Sequence, residues 1–97
     1  MDSKSSPQIK FDEILFIKQH KDQVIFHTIN GPVNAIYSLE NLEKELPSSK
    51  FLRIHEEYIV AVDAIQSISK TELKLEEMII PIQDQYFKNL ITKLTPQ

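Results

Sequence analysis

Arg53, His55, Glu56 and Glu57 stand together in the stretch FLRIHEEYIVAVDAI, residues 51–65, inside an otherwise apolar frame. Arg53 is the only arginine of the chain. Its planar guanidinium could grip a phosphate or a guanine edge with paired hydrogen bonds, or it could pair with a local carboxylate and cap carbonyl oxygens. In an extended segment His55 and Glu57 would share one face, as two metal ligands do. A metal site needs a third and fourth donor, and no second histidine stands at a ligand spacing from His55; His20 and His27 could converge on it only through the fold. Three chemistries are therefore open to this cluster: a nucleic-acid contact, a metal site without its remaining donors, or a solvated turn with a structural imidazole.

Other reactive constellations are missing. The chain has no cysteine, no glycine-rich phosphate loop and no serine in a nucleophile motif, so it reads as a non-enzyme with no cofactor and no small-molecule substrate. Lys18, His20, Lys21, Lys50, Lys70 and Lys74 read as ordinary solvated surface. If the fold brings the first three beside Arg53, they form a modest cationic patch.

The totals set the frame for these residues. Ninety-seven residues make one domain, and 41% hydrophobic with 26% charged residues is the balance of a soluble globular chain. The net charge of -3 works against nucleic acid, because neutralising phosphates supplies most non-specific affinity. Segregating the cations onto one face would overcome that total. Apolar clusters such as MIIPI are strand-sized, so no membrane partner is expected. The leader MDSKSSPQ has no apolar h-region and does not read as a signal peptide. The lack of cysteine fits a reducing compartment, and the expected location is the cytoplasm.

The elements that must position the cluster follow from periodicity. Residues 1–10 read as a disordered or extended leader, and residues 11–97 as the domain. EILFIK (13–18) is continuously apolar, as in a strand covered on both faces. HKDQ is a polar turn, VIFHTI a second strand, and Asn30-Gly31 a hairpin signal leading into VNAIYS. Ser38 is an N-cap for LENLEKEL, whose Leu39, Leu42 and Leu46 fall on one helical face before Pro47 stops it. IQSIS alternates as a strand, with Ile65, Ser67 and Ser69 opposite Gln66 and Ile68. LKL and MIIPI form a hairpin around Glu76-Glu77, with pairing ended by Pro81. DQYFKNLITKL places Tyr86, Phe87, Leu90, Ile91 and Leu94 on a helical stripe, with Lys88 and Lys93 outside it. The predicted class is mainly β with short helices, in the order βββ-α-β-ββ-α.

Three pieces of the chain together resemble a known family: DEILFIKQHKDQVIFHT, YSLENLEKELPSSKFLRIHEEYIVAVDAI and MIIPIQDQYFKNLITKL. They span nearly everything from Asp12 to Leu94 and are similar to the LytTR-type DNA-binding domain, an output module of bacterial transcriptional regulators, expected here as a stand-alone chain without a receiver domain. The resemblance implies an elongated stack of small antiparallel β-sheets and binding of duplex DNA by loops that enter the major groove. It implies three DNA-facing segments: Lys18–Gln23, the region of Arg53, His55, Glu56 and Glu57, and Gln83-Asp84-Gln85. Candidate contacts are Lys18, His20, Lys21, Gln23, Arg53, His55, Gln83 and Gln85, with Lys21 and Arg53 on phosphates. His20, His55, Gln83 and Gln85 are the candidates for base edges.

The chain departs from the family pattern at three of these positions. Glu56 and Glu57 follow the histidine where the family commonly has Asn or Arg and then Ser, and Asp84 stands where it commonly has Arg. A further departure, Ala61, replaces the usual Asn after Tyr-Ile-Val. Carboxylates repel phosphate, and each lost specific contact costs roughly 1–3 kcal/mol. An alternative function follows: a domain of the same fold, impaired in DNA binding, whose acidic loops make it an interaction module or antagonist. Its partner would be a second copy or a paired regulator protein.

Overall fold

The computed structural model describes residues 10–76 and 78–94. Its strands are β1 (Ile14–His20), β2 (Gln23–Thr28), β3 (Gly31–Ile36), β4 (Phe51–His55), β5 (Tyr58–Ala61), β6 (Ile65–Ile68), β7 (Glu72–Leu75) and β8 (Met78–Pro81). Helix α1 (Leu39–Glu45) separates β3 from β4, and α2 (Asp84–Leu94) follows β8. All pairings are antiparallel: a five-stranded sheet in the order β3-β2-β1-β5-β4, and a three-stranded sheet in the order β6-β7-β8. The mainly β class and the predicted order stand, with the single middle β region resolved into the β4–β5 hairpin followed by β6. The molecule is elongated, 45 × 26 × 23 Å. The leader's residues 1–9, Glu77 of the corner, and the side chains of Lys93 and Leu94 lie outside the described residues.

The continuous apolar run of β1 is covered on both faces, as its composition demands. Ile17 packs with Val24, Ile59 and the leucines of α1, while Phe16 joins a second cluster with Leu52, Val60, Leu73 and Leu90. The five-stranded sheet thus lies between two cores, one under α1 and one under the small sheet and α2. Ser38 caps α1 by accepting from the Asn41 N–H at 3.2 Å. Leu39, Leu42 and Leu46 are buried. In α2, Leu90 is fully buried and Tyr86 and Phe87 are half-buried, but Ile91 is exposed on the outer side of the stripe.

Three pairings carry a register shift that a strict two-residue period does not anticipate. They fall between Ile14 and Phe16, between Arg53 and His55, and between Ile65 and Ser67. A bulge puts two residues opposite one and so reverses the facing of everything beyond it. In β6 this turns both Ile65 and Ile68 toward the same core, where plain alternation had set them on opposite faces.

Two-residue connections join the hairpins. Lys21-Asp22 links β1 to β2, with Lys21 at φ 60, and Ile29-Asn30 links β2 to β3. The predicted Asn30-Gly31 hairpin is present, but Gly31 opens β3 opposite Thr28 and itself carries φ 116. Thr28 Oγ1 locks this turn by donating to the Gly31 carbonyl at 2.7 Å and accepting from Asn30 N–H at 3.1 Å. Pro32 is tolerated because β3 is an edge strand. At the other corner Glu76 takes φ 50, and Leu75 pairs with Met78.

A Cβ on Gly31 would meet nothing within 4 Å, so any cost of adding one is torsional rather than steric. Gly31→Ala should lower stability by about 1–3 kcal/mol, the range for a residue forced to positive φ. A urea midpoint equal to that of the parent would show that β3 relaxes to an ordinary φ at no cost.

Candidate nucleic-acid interface

Three segments separated by tens of residues are joined by hydrogen bonds at one end of the large sheet. Gln19 N–H donates to the Glu57 carbonyl at 2.8 Å, which ties the β1–β2 end to the β4–β5 turn. Glu56 N–H donates to Gln83 Oε1 at 3.1 Å, and Gln83 N–H to the Ile54 carbonyl at 3.0 Å. These bonds tie the same turn to the start of α2. The DNA-facing segments implied by the resemblance are therefore neighbours in space.

The first segment is less of a loop than its composition suggests. Lys18, Gln19 and His20 belong to β1 and Gln23 to β2, leaving only Lys21-Asp22 as turn. Gln19 organises it. Its Nε2 donates to the carbonyls of Lys21 at 2.8 Å and Gln23 at 2.9 Å, and its Oε1 accepts from Leu39 N–H at 2.9 Å. One side chain thus holds the turn and satisfies an open donor in the first turn of α1. Nothing in the residue type marks Gln19 out among the other glutamines; its role rests on side-chain reach across the fold.

Arg53 is the centre of the second segment. Its Nε donates to the His55 carbonyl at 2.7 Å, one terminal nitrogen to the Glu56 carbonyl at 2.5 Å, and the other to Glu43 Oε1 of α1 at 2.8 Å. The guanidinium carbon also lies 5.7 Å from the Tyr86 ring centroid of α2. The side chain is only 10% exposed. Of the two chemistries open to Arg53, this geometry is the carboxylate-and-carbonyl one. The bulge sends His55 the other way, opposite Tyr58, with ring centroids 5.4 Å apart in an edge-on contact. His55 Nδ1 accepts from Glu57 N–H at 3.1 Å, which leaves Nε2 for a ligand.

At the third segment Gln83 is structural through its backbone and its Oε1, which also receives Gln85 Nε2 at 3.4 Å. Asp84 and Gln85 are exposed. Gathered at this end are two outward cationic or titratable groups, Lys21 and His20, with Lys18 and His55 half-buried beside them. Lys18 Nζ sits 5.8 Å from the Tyr58 ring centroid. Four exposed carboxylates share the end: Asp22, Glu56, Glu57 and Asp84. The third histidine, His27, stacks on Phe16 with centroids 4.2 Å apart and planes 10° from parallel. Burial, and then the nearby Lys18 charge, hold its pKa below the ordinary histidine value. No group of three His, Asp or Glu side chains among the described residues could hold a metal ion, so His20, His27 and His55 do not converge on one.

Arg53→Lys should lower stability by on the order of 2 kcal/mol, because an ammonium cannot reach two carbonyls and a carboxylate in one plane and leaves a buried acceptor open. It should also speed amide hydrogen exchange at Gln19, whose acceptor is on the clamped turn. Glu43→Gln should cost less than about 1 kcal/mol, since that carboxylate is half exposed. Equal losses in the two variants would place the energy in the ion pair and not in the carbonyl contacts.

A family model described as the LytTr DNA-binding domain matches residues 4–95 of the chain. Among solved structures, the chain is similar to the LytTr DNA-binding domain of a protein from Bacillus cereus described as a methyl-accepting/DNA response regulator. The TM-score is 0.83 at 21% identity, covering 91% of this chain and 86% of that one. Comparison with the curated proteins gives no match. The matched family is one of DNA-binding regulatory domains and not of enzymes. With the model spanning all but the extreme ends, the chain belongs to the LytTr DNA-binding domain family.

Proposed function

We propose that this domain is a transcriptional regulator that binds duplex DNA with the end of the large sheet where the three segments meet, inserting them into the major groove. The observation that carries this reading is the hydrogen-bonded convergence of Lys18–Gln23, His55–Glu57 and Gln83–Gln85 on one end of the fold. Rigid turns positioned on a sheet suit groove contacts, because little backbone order is lost on binding. In this reading Lys21 contacts phosphate, while His20, His55 Nε2 and the amide of Gln85 address base edges. Arg53 and Gln83 act as positioning residues, since their polar groups already hold the turns. No helix among the described residues is long and apolar enough to cross a membrane. The site of action is the cytoplasm, where the duplex is.

The exposed Glu56, Glu57 and Asp84 favour a second reading. In it the same end of the molecule docks on a basic protein surface, a paired regulator or a second copy, and the domain antagonises rather than binds. Selection from a random duplex pool at low and moderate salt separates the two. An enriched motif with salt-sensitive affinity supports the DNA reading, and no binding even at low salt overturns it.

Two variants sharpen the test. Glu56→Arg with Asp84→Arg should strengthen duplex binding and steepen the log–log salt slope by roughly one to two. Lys21→Gln should weaken binding uniformly across sequences and reduce that slope by about one. A double variant with unchanged affinity would mean that these carboxylates do not face DNA.

A further inference from the structure

Cross-strand register places all three histidines on one face of the large sheet. Lys18 lies beside Ile25 and Tyr58, His20 beside Gln23, Phe16 beside His27, and His55 beside Tyr58. On β3 the same face continues with Pro32, Asn34 and Ile36, all exposed. The small sheet and α2 cover its Phe16, Val60 and Leu52 part. Among the described residues, no element packs extensively over the rest, which runs from the Lys21-Asp22 turn back to His27. In a chain of net charge -3, none of these strand positions carries a carboxylate. Among the described residues neither Lys18 nor any of the histidines makes an ion pair.

We propose that this uncovered half of the sheet face is a second anion-binding surface, a shelf that takes the sugar–phosphate backbone flanking the groove, with Lys18 and His27 as its cationic pair. The proposal rests on the DNA reading and extends it from the turns to the sheet behind them. Charge is the argument for the occupant: a face with one fixed cation, titratable imidazoles and no acid at these strand positions suits a polyanion. Successive same-face rows of a strand are about 6.6 Å apart, so the Lys18 and His27 rows can serve one backbone segment.

His27 makes this contact proton-coupled. In the free protein its neighbours disfavour the charged form: Phe16 covers one face of the ring, Lys18 on β1 adds like charge, and β3 opposite offers only Pro32 and Asn34, which do not titrate. A phosphate placed between Lys18 and His27 reverses that balance and raises the imidazole pKa. Binding then takes up a proton, and affinity rises as pH falls through the bound-state value.

The test is the affinity of the full chain for a 30-base-pair duplex of mixed sequence, measured by anisotropy from pH 8 to 5.5 at fixed low salt. The expected result is a Kd that falls about threefold to tenfold over this span in the parent, with most of that change lost in His27→Gln. Lys18→Gln should reduce the salt slope by about one. As a second readout in the unsubstituted chain, the His27 imidazole resonance should titrate at higher pH once duplex is added. Parent-like pH and salt profiles in both variants, or a His27 titration that duplex does not move, overturn the shelf while leaving the turn reading intact. Absence of duplex binding by the parent overturns both. Parent-like variants together with a sedimenting dimer that Ile36→Lys splits would make this face an interface between copies, and the shelf wrong.

Discussion

Everything at the candidate interface hangs on how one buried guanidinium is satisfied. Arg53 sits on the α1 side of the sheet, among largely apolar side chains, and a charge in that position is costly unless each face of it finds a partner. It finds the His55 and Glu56 carbonyls, the Glu43 carboxylate and the Tyr86 ring. Only a planar fork reaches partners on a turn and two helices at once, which is a physical reason for arginine where the other ten cations are lysines. Once the turn carbonyls point inward to Arg53, the Glu56 amide is free to meet Gln83, and the Glu57 carbonyl to meet Gln19. The positions of three surface segments are thus one solution to one desolvation problem.

Much of this architecture is legible in the sequence. The doubly apolar run of β1, the Ser38 cap, the leucine spacing of α1 and the stop at Pro81 are local signals, and local physics decides them. Less accessible were the bulges at Leu15, Ile54 and Gln66, because strand facing depends on which residues lie opposite, not on the strand's own sequence. The separation of Arg53 from His55 shows the effect best. Two residues apart in a regular strand, they would share a face; the shifted register sends one to the helix side and the other to the histidine face. Gln19 and Gln83 were opaque for a related reason. An amide offers a donor and an acceptor to any geometry, so its role is written by its surroundings.

Charge is distributed in a way the net value conceals. Acidic side chains gather at the tips of the turns, while the sheet surface immediately behind them is free of acid and holds every histidine. The chain is therefore neither an acidic nor a basic protein at the scale of a ligand. Exposed carboxylates stand at the turns, and acid-free strand positions lie behind them. Orientation, more than total charge, decides which contacts form.

The edge strand β3 has a consequence outside recognition. Its outward rim is where another chain's strand would add, and Pro32 interrupts that rim by removing one backbone donor. Copies at high local concentration bring such rims into frequent contact. A continuous hydrogen-bonding edge under those conditions would invite fusion of adjacent sheets and the growth of an insoluble ribbon. A single imino acid in the exposed strand lets crowded copies still separate.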